Sequence, residues 1–374
     1  MSFYSYYFIG EYMKKIVVVL LLFMIFPYKS LSYTTSASCG ILMDQDSGRI
    51  IYSKNINKVR SVASISKIMT AIIAVESGKL NNEIVIGNEI DSAYGSGIYI
   101  KHDEKMKLKD LVYGLMLRSG NDAALAIAHH VGGSVDNFVK LMNEKAKQIG
   151  MKNTTFNNPS GLDEDKGNYS TAYDMAILTS YAMKNKEYKK IVGTKKYTLK
   201  TNLNTYVWHN KNKLLNSYDY TTGGKTGFTK IARRTLVSTA SKDNLNLVVV
   251  TLNDGNDFLD HKNLYIEAYN DYKIYTILKK GQVNIDDNKY YKNYDYYIKN
   301  DFKYPLSNNE KDSIIVKFTI DKLKDYKNNL KVGIADIYLG DKKIGDRKIY
   351  LKEITVKKES LFKKIINKVF KNDK

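Results

Sequence analysis

Ala63-Ser64-Ile65-Ser66-Lys67-Ile68-Met69-Thr70-Ala71 is the stretch on which the reading of this chain turns. Ser64 and Lys67 are three residues apart, so on a helix they share one face, a single turn from each other. A serine hydroxyl is a poor nucleophile until a neighbouring base takes its proton. Lysine can be that base if burial lowers its pKa, and the apolar run 68–75 supplies the burial. Backbone N–H groups at a helix start also point at any anion forming beside the serine. Alone the pattern is weak, because a helix cap followed by a surface lysine looks the same.

Two further elements follow in order. Ser119-Gly120-Asn121 lies between the periodic segment 108–117 and the apolar stretch 123–131. Lys225-Thr226-Gly227 lies between the pair Gly223, Gly224 and the strand-like run 235–240. The ordered trio S-x-x-K, S-x-N and K-T-G is the signature of penicillin-recognising serine enzymes.

At 374 residues the chain can hold two domains, each with its own core. A hydrophobic content of 43% excludes wholesale disorder. The formal charge of +20 is spread along the chain among Tyr and Asn, with no nucleic-acid-binding motif. It fits a surface facing anionic lipid or wall polymer, and no nucleic acid is expected as a partner. The lone Cys39 rules out an internal disulfide framework and any multi-cysteine metal site, and no cofactor is expected. His102, His129, His130, His209 and His261 show no metal-binding spacing.

Lys14, Lys15, the apolar run 16–26, Pro27 and the small residues near Ser30 read as a signal peptide over 1–32, with Met13 as an alternative start. The run is short for a membrane span, so the expectation is secretion across a bacterial cytoplasmic membrane. A catalytic domain is expected over 33–278. It begins with a hairpin around Asp46-Ser47-Gly48 and continues with helices over 107–118, 121–131, 135–149 and 172–183. Strands follow at 195–200, 224–228, 234–241 and 245–252, then a Tyr-rich helix over 257–278. Strands at both ends with helices between predict an α/β (α+β) domain whose sheet pairs the two ends of the domain. Residues 279–356 alternate like a small all-β domain, with strands at 296–300, 313–319, 331–339 and 343–356. In 357–374, Leu361, Phe362, Ile365, Ile366, Val369 and Phe370 form one apolar stripe flanked by lysines. That pattern predicts a helix lying in the interface on the outer face of the cytoplasmic membrane.

The chain resembles the D-alanyl-D-alanine carboxypeptidases, the low-molecular-mass penicillin-binding proteins of peptidase family S11. The likeness rests on the trio together with Asn158-Pro159-Ser160-Gly161-Leu162 and Lys225-Thr226-Gly227-Phe228-Thr229. The resemblance implies that Ser64 attacks the D-Ala-D-Ala carbonyl of a peptidoglycan stem peptide while Lys67 takes its proton. It further implies that Ser119 relays a proton to the leaving D-alanine and that Asn121 holds Lys67 and the substrate amide. Lys225, Thr226 and Gly227 would bind the substrate, Lys225 supplying the cation for its terminal carboxylate. The N–H groups of Ser64 and Phe228 would hold the oxyanion, and β-lactams would acylate the same serine. One departure stands out: Ala232-Arg233-Arg234 puts arginine where the family usually has glycine.

Two other functions share the trio. A β-lactamase would need a carboxylate-activated water, but Asp163 and Glu164 do not form the E-x-x-L-N pattern and the second motif is S-G-N rather than S-D-N. A non-catalytic wall-binding or penicillin-sensing protein would have no need of all three motifs intact.

Overall fold

The computed structural model describes residues 33–163, 166–286 and 290–354. The expected leader and the expected C-terminal helix lie outside them. No helix among the described residues is long and apolar enough to cross a membrane.

The first core is built on an antiparallel sheet of β1 (Cys39–Asp44), β2 (Ile50–Lys54), β3 (Thr221–Thr229), β4 (Arg233–Lys242) and β5 (Leu245–Leu252). Its spatial order is β2-β1-β5-β4-β3, so the start of the domain pairs with its end: Ile41 faces Val250 and Met43 faces Val248. Six residues of β5 from Leu247 to Leu252 are buried, which requires cover on both faces of the sheet. Successive side chains on β4 reach opposite faces. Ser238 meets His261 and Tyr265 of one helix, while Thr239 meets Met183 at the end of another.

The helices of this core are α1 (Lys67–Glu76), α2 (Leu108–Arg118), α3 (Asn121–Gly132), α4 (Val135–Ile149), α5 (Ala172–Ala182), α6 (Lys186–Gly193) and α7 (Asp257–Asp271). Nine of the ten residues of α1 are buried, so the nucleophile segment runs through the middle of the core. On α4 the buried stripe is Phe138, Met142 and Ala146, whereas Leu141 is exposed. Lys145, which interrupts the apolar face in the sequence, reaches Glu76 at 2.8 Å and lies over the Tyr181 ring. Thr171 caps α5 by accepting from the Asp174 N–H at 3.0 Å.

One local reading is corrected, and two elements are added. The helix expected over 257–278 stops at Asp271, and β6 (Tyr272–Leu278) takes over, because Tyr-Lys-Ile-Tyr-Thr-Ile-Leu is rich in β-branched and aromatic residues. The strand expected at 195–200 is present as Lys196–Lys200, and a further strand, Thr205–His209, pairs with it as a hairpin. Residues 186–193 form α6, capped by Asn185.

Beyond Gly281 the chain forms β7 (Gly281–Val283), β8 (Tyr294–Ile298), β9 (Phe302–Ser307), β10 (Ile314–Ile320), β11 (Lys331–Leu339) and β12 (Lys342–Glu353). A second antiparallel sheet runs β7-β8-β12-β11-β10 over its own core, which includes Ile298, Ile337, Ile349 and Leu351. β9 leaves that sheet to pair with β6. Arg49, from the first hairpin, reaches across to this region. It donates to the Pro305 carbonyl at 2.6 Å, pairs with Glu310 at 2.5 Å, and lies 4.8 and 5.3 Å from the Tyr272 and Tyr304 ring centroids.

Candidate active site

Ser64 sits in a single 3-10 turn, Ala63–Ser66, that leads directly into α1. Ala63 before it has φ +50°, a conformation that costs an L-residue about 1 kcal/mol or more. The surroundings enforce that turn. Gly161 (φ +82°) lies so close that a Cβ there would meet the Ala63 carbonyl oxygen at 2.1 Å and Ser66 Oγ at 2.5 Å. Asn158 shapes the loop by accepting from the N–H groups of Ser160 (3.1 Å) and Gly161 (2.6 Å).

The fully buried Lys67 Nζ is the hub. It lies 3.0 Å from Ser64 Oγ and 2.7 Å from Asn121 Oδ1, and it donates to the Ser160 carbonyl. Burial, followed by the Lys211 ammonium, lowers its pKa from 10.5 to about 7, against an opposing pull from Asp122. A neutral amine has two N–H donors and one lone pair. Asn121 and Ser160 accept both donors, which leaves the lone pair for the Ser64 hydroxyl proton. That arrangement is a general base.

Asn121 opens α3 and is fixed from its other side, its Nδ2 donating to the Tyr94 carbonyl at 2.6 Å. Asp122 next to it accepts from the N–H groups of Ile98 (3.0 Å) and Tyr99 (2.7 Å), pinning the Gly95-Ser96-Gly97 loop against the S-x-N turn. Ser119, in the left-handed region at φ +66°, caps α2 and lines a cleft of about 320 Å³. Ser64, Ser96, Thr226, Gly227, Phe228 and Arg234 also line this cleft, together with Lys211, Asp257 and Phe258.

Gly227 is required by close approach. A Cβ there would meet Thr235 Oγ1 at 2.4 Å and the backbone nitrogens of Ser64 and Ile65 at 3.0 and 3.1 Å. β3 therefore passes directly beside the nucleophile turn, and Phe228, the next residue, lines the same cleft as Ser64. The Phe228 side chain is exposed.

Lys225 is placed differently from the carboxylate-binding role expected for it. It is 1% exposed, its Nζ donates to the Thr226 carbonyl at 2.7 Å, and it does not line the cleft. Burial and the neighbouring Lys67 and Lys211 push its pKa well down, so its charge is disfavoured. The cations that do line the cleft are Lys211 and Arg234. Arg234 faces Phe228 across β3–β4, pairs with Asp257 and lies 5.7 Å from the Phe258 ring centroid. The sequence trace of Arg234 is the unusual Arg233-Arg234 pair beyond the K-T-G motif. Arg233 stands at φ +62°, which explains why glycine suits that position and shows that arginine bears some strain there. The Ser160 carbonyl was also missed, since a backbone acceptor has no residue-type signature; the turn sequence 158–162 was its one trace.

Among the described residues, His261 is the one histidine in a serine–histidine contact, with Ser238 Oγ 2.6 Å from Nδ1 and Thr251 Oγ1 3.0 Å from Nε2. It is fully buried under the sheet, and desolvation lowers its pKa to about 3, so it is a neutral structural group.

A serine beside a buried lysine, closed by S-x-N and K-T-G around one cleft, defines the class of penicillin-recognising serine enzymes. Residues 28–256 match the family model of the D-alanyl-D-alanine carboxypeptidases, peptidase family S11, and the chain belongs to that family. It is 35% identical over 257 residues to the D-alanyl-D-alanine carboxypeptidase DacF of Bacillus subtilis, covering 66% of this chain and 65% of that one. It is 36% identical over 234 residues to DacA of Haemophilus influenzae, covering 58% and 57%. The chain thus spans less than two thirds of the length of these curated relatives. Among solved structures, penicillin binding protein 5 from Haemophilus influenzae superposes with a TM-score of 0.73 at 26% identity, over 86% of this chain and 97% of that one. DacD from Francisella tularensis gives 0.67 at 26% identity, over 86% and 94%.

Proposed function

We propose that this protein is a serine-type D-alanyl-D-alanine carboxypeptidase, removing the terminal D-alanine of peptidoglycan stem pentapeptides through an acyl-enzyme. The observation that carries the reading is the buried Lys67 amine, its donors taken by Asn121 and Ser160 and its remaining lobe directed at Ser64. Lys67 takes the Ser64 proton as Oγ attacks the penultimate carbonyl. The oxyanion lies between the N–H groups of Ser64 and Phe228, where one donor is worth about 3–4 kcal/mol of transition-state stabilisation. Collapse breaks the peptide bond, and Ser119 passes a proton to the departing D-alanine amine. Water then hydrolyses the ester and regenerates Ser64.

The terminal carboxylate goes to Arg234, with Thr226 beside it, rather than to the buried Lys225. Asp257 aims the guanidinium, whose planar fork suits a carboxylate. β-Lactams acylate the same serine. The β-lactamase alternative lacks support from Asp163, whose Oδ2 accepts from Ser61 Oγ and Thr229 Oγ1, each at 2.6 Å, and so is committed to a structural role. The leader over 1–32 and the basic amphipathic stripe over 357–374 support secretion and attachment to the outer face of the membrane.

D-Alanine release from a stem pentapeptide, compared between the native protein and Ser64→Ala, is the test. Release by the native protein alone is expected; equal release by both would end the enzyme reading, and so would none from either.

A further inference from the structure

The second sheet carries a feature that the chemistry at Ser64 does not use. It is an open surface depression of about 310 Å³ lined by Lys299, Asn300, Asp346, Arg347, Lys348 and Tyr350, the first three and Lys348 being exposed. The walls are unusually cationic and are held in place by several contacts. Lys299 Nζ lies 3.8 Å from the Tyr350 ring centroid, which fixes the ammonium over the ring. Arg347 is held by the carbonyls of Asp301 (2.6 Å) and Asp346 (2.7 Å) and packs against the Phe302 ring. Asp346, the one acidic wall residue, is 3.6 Å from Lys343. Among the described residues, neither Lys299 nor Lys348 has a carboxylate within ion-pair distance. Register extends the charge: Tyr350 stands opposite Tyr297 on β8 and Lys331 on β11, and Lys352 lies over the Tyr297 ring at 5.4 Å.

Among the described residues, Lys299 and Lys348 are exposed on this face with no carboxylate beside them, so their charge is open to an anionic ligand. The lining offers no large aliphatic side chain to insert into a bilayer, which argues against a lipid. Lys299 covers the Tyr350 face on which a nucleobase would stack. An acidic, hydroxyl-bearing ligand fits what remains: carboxylate on the lysines, polar groups on the Asn300 amide and the Tyr350 hydroxyl.

We propose that this depression is a second binding site, which holds a peptidoglycan strand through a stem-peptide carboxylate. The choice of polymer rests on the carboxypeptidase reading. Such a site would let the C-terminal sheet keep the enzyme on an insoluble substrate between turnovers.

The experiment is co-sedimentation of the full chain with purified peptidoglycan sacculi, using Ser64→Ala and the same protein carrying Lys299→Gln and Lys348→Gln. About a tenfold loss of sacculus affinity is expected for the lysine variant. Sacculi with amidated carboxylates should bind both proteins at the lower level. Phosphatidylglycerol vesicles should bind both alike. Equal binding of native sacculi by the two proteins would overturn the proposal, as would a loss confined to vesicles. A parallel arm, with Ser64 intact, measures D-alanine release from a soluble pentapeptide, which the two lysine substitutions should leave unchanged. Failure of that arm in the native protein strikes the enzyme reading alone; loss of sacculus binding in the variant stands or falls separately.

Discussion

Acylation of Ser64 should follow the protonation of Lys67. A lysine pKa of about 7 rather than 10.5 is a differential of about 5 kcal/mol against the charged form, at 1.36 kcal/mol per unit. The first cause is full burial; the second is Lys211, an exposed side chain lining the cleft. The reactive form is the neutral amine, so reactivity is present above the folded pKa and is lost as pH falls through it. The second-order acylation rate with a fluorescent penicillin reports the free enzyme. It should be flat above pH 8, about half-maximal near pH 7, and about tenfold down at pH 6. Lys211→Ala removes a cation that disfavours Lys67 protonation, so the rising limb should move to higher pH. A rate independent of pH between about 5 and 9, or a limb centred near an ordinary lysine pKa, would refute the argument. So would a Lys211→Ala limb that shifts the other way.

The remaining expectations concern the strand beside the nucleophile, the carboxylate cation and the junction. Gly227→Ala forces a Cβ into Thr235 Oγ1 and toward the Ser64 N–H, moving β3 away from the oxyanion. Acylation should fall by about 10²–10³, the cost of an oxyanion donor, while the melting temperature drops only modestly; a rate within threefold of native would show that β3 does not form the oxyanion site. Arg234→Gln should lower kcat/KM by about tenfold or more for a peptide with a free terminal carboxylate and leave its C-terminal amide unaffected. The same measurement on Lys225→Gln would restore Lys225 to that role if it alone showed the split. Arg49→Ala removes the Glu310 pair, the Pro305 contact and two ring contacts, worth about 2–3 kcal/mol together. Calorimetry should then resolve separate unfolding of the two cores, and an unchanged single transition would show that the clamp is dispensable.

How much of this could be read before the fold was known depends on the kind of group. Side chains with strong type and spacing signals were legible: Ser64, Lys67, Ser119 and Asn121 converge at one cleft or its floor, and the buried β5 strand shows in its run of valines. The end-to-end pairing of β1 with β5 was legible for the same reason. What depends on register or backbone was not. The Ser160 carbonyl reaches Lys67 only because Asn158 and Gly161 fold the loop onto Ala63. Arg234 enters the cleft because β4 pairs it with Phe228, and Lys225, one strand-step from Thr226, is turned into the interior by the same alternation. The helix boundary at Asp271 failed because Tyr272–Leu278 pairs with β9, a partner some thirty residues later in sequence that local propensity does not reveal.

Mass spectrometry of the penicillin-treated protein, digested with trypsin, decides which hydroxyl is attacked. Cleavage after Arg60 and Lys67 yields one peptide holding Ser61, Ser64 and Ser66. Fragmentation should place the whole adduct on Ser64, the serine within reach of the Lys67 amine. An adduct on Ser61, on Ser66 or on another peptide, or an unmodified protein, would mean that the Ser64–Lys67 pair is not the acylating centre.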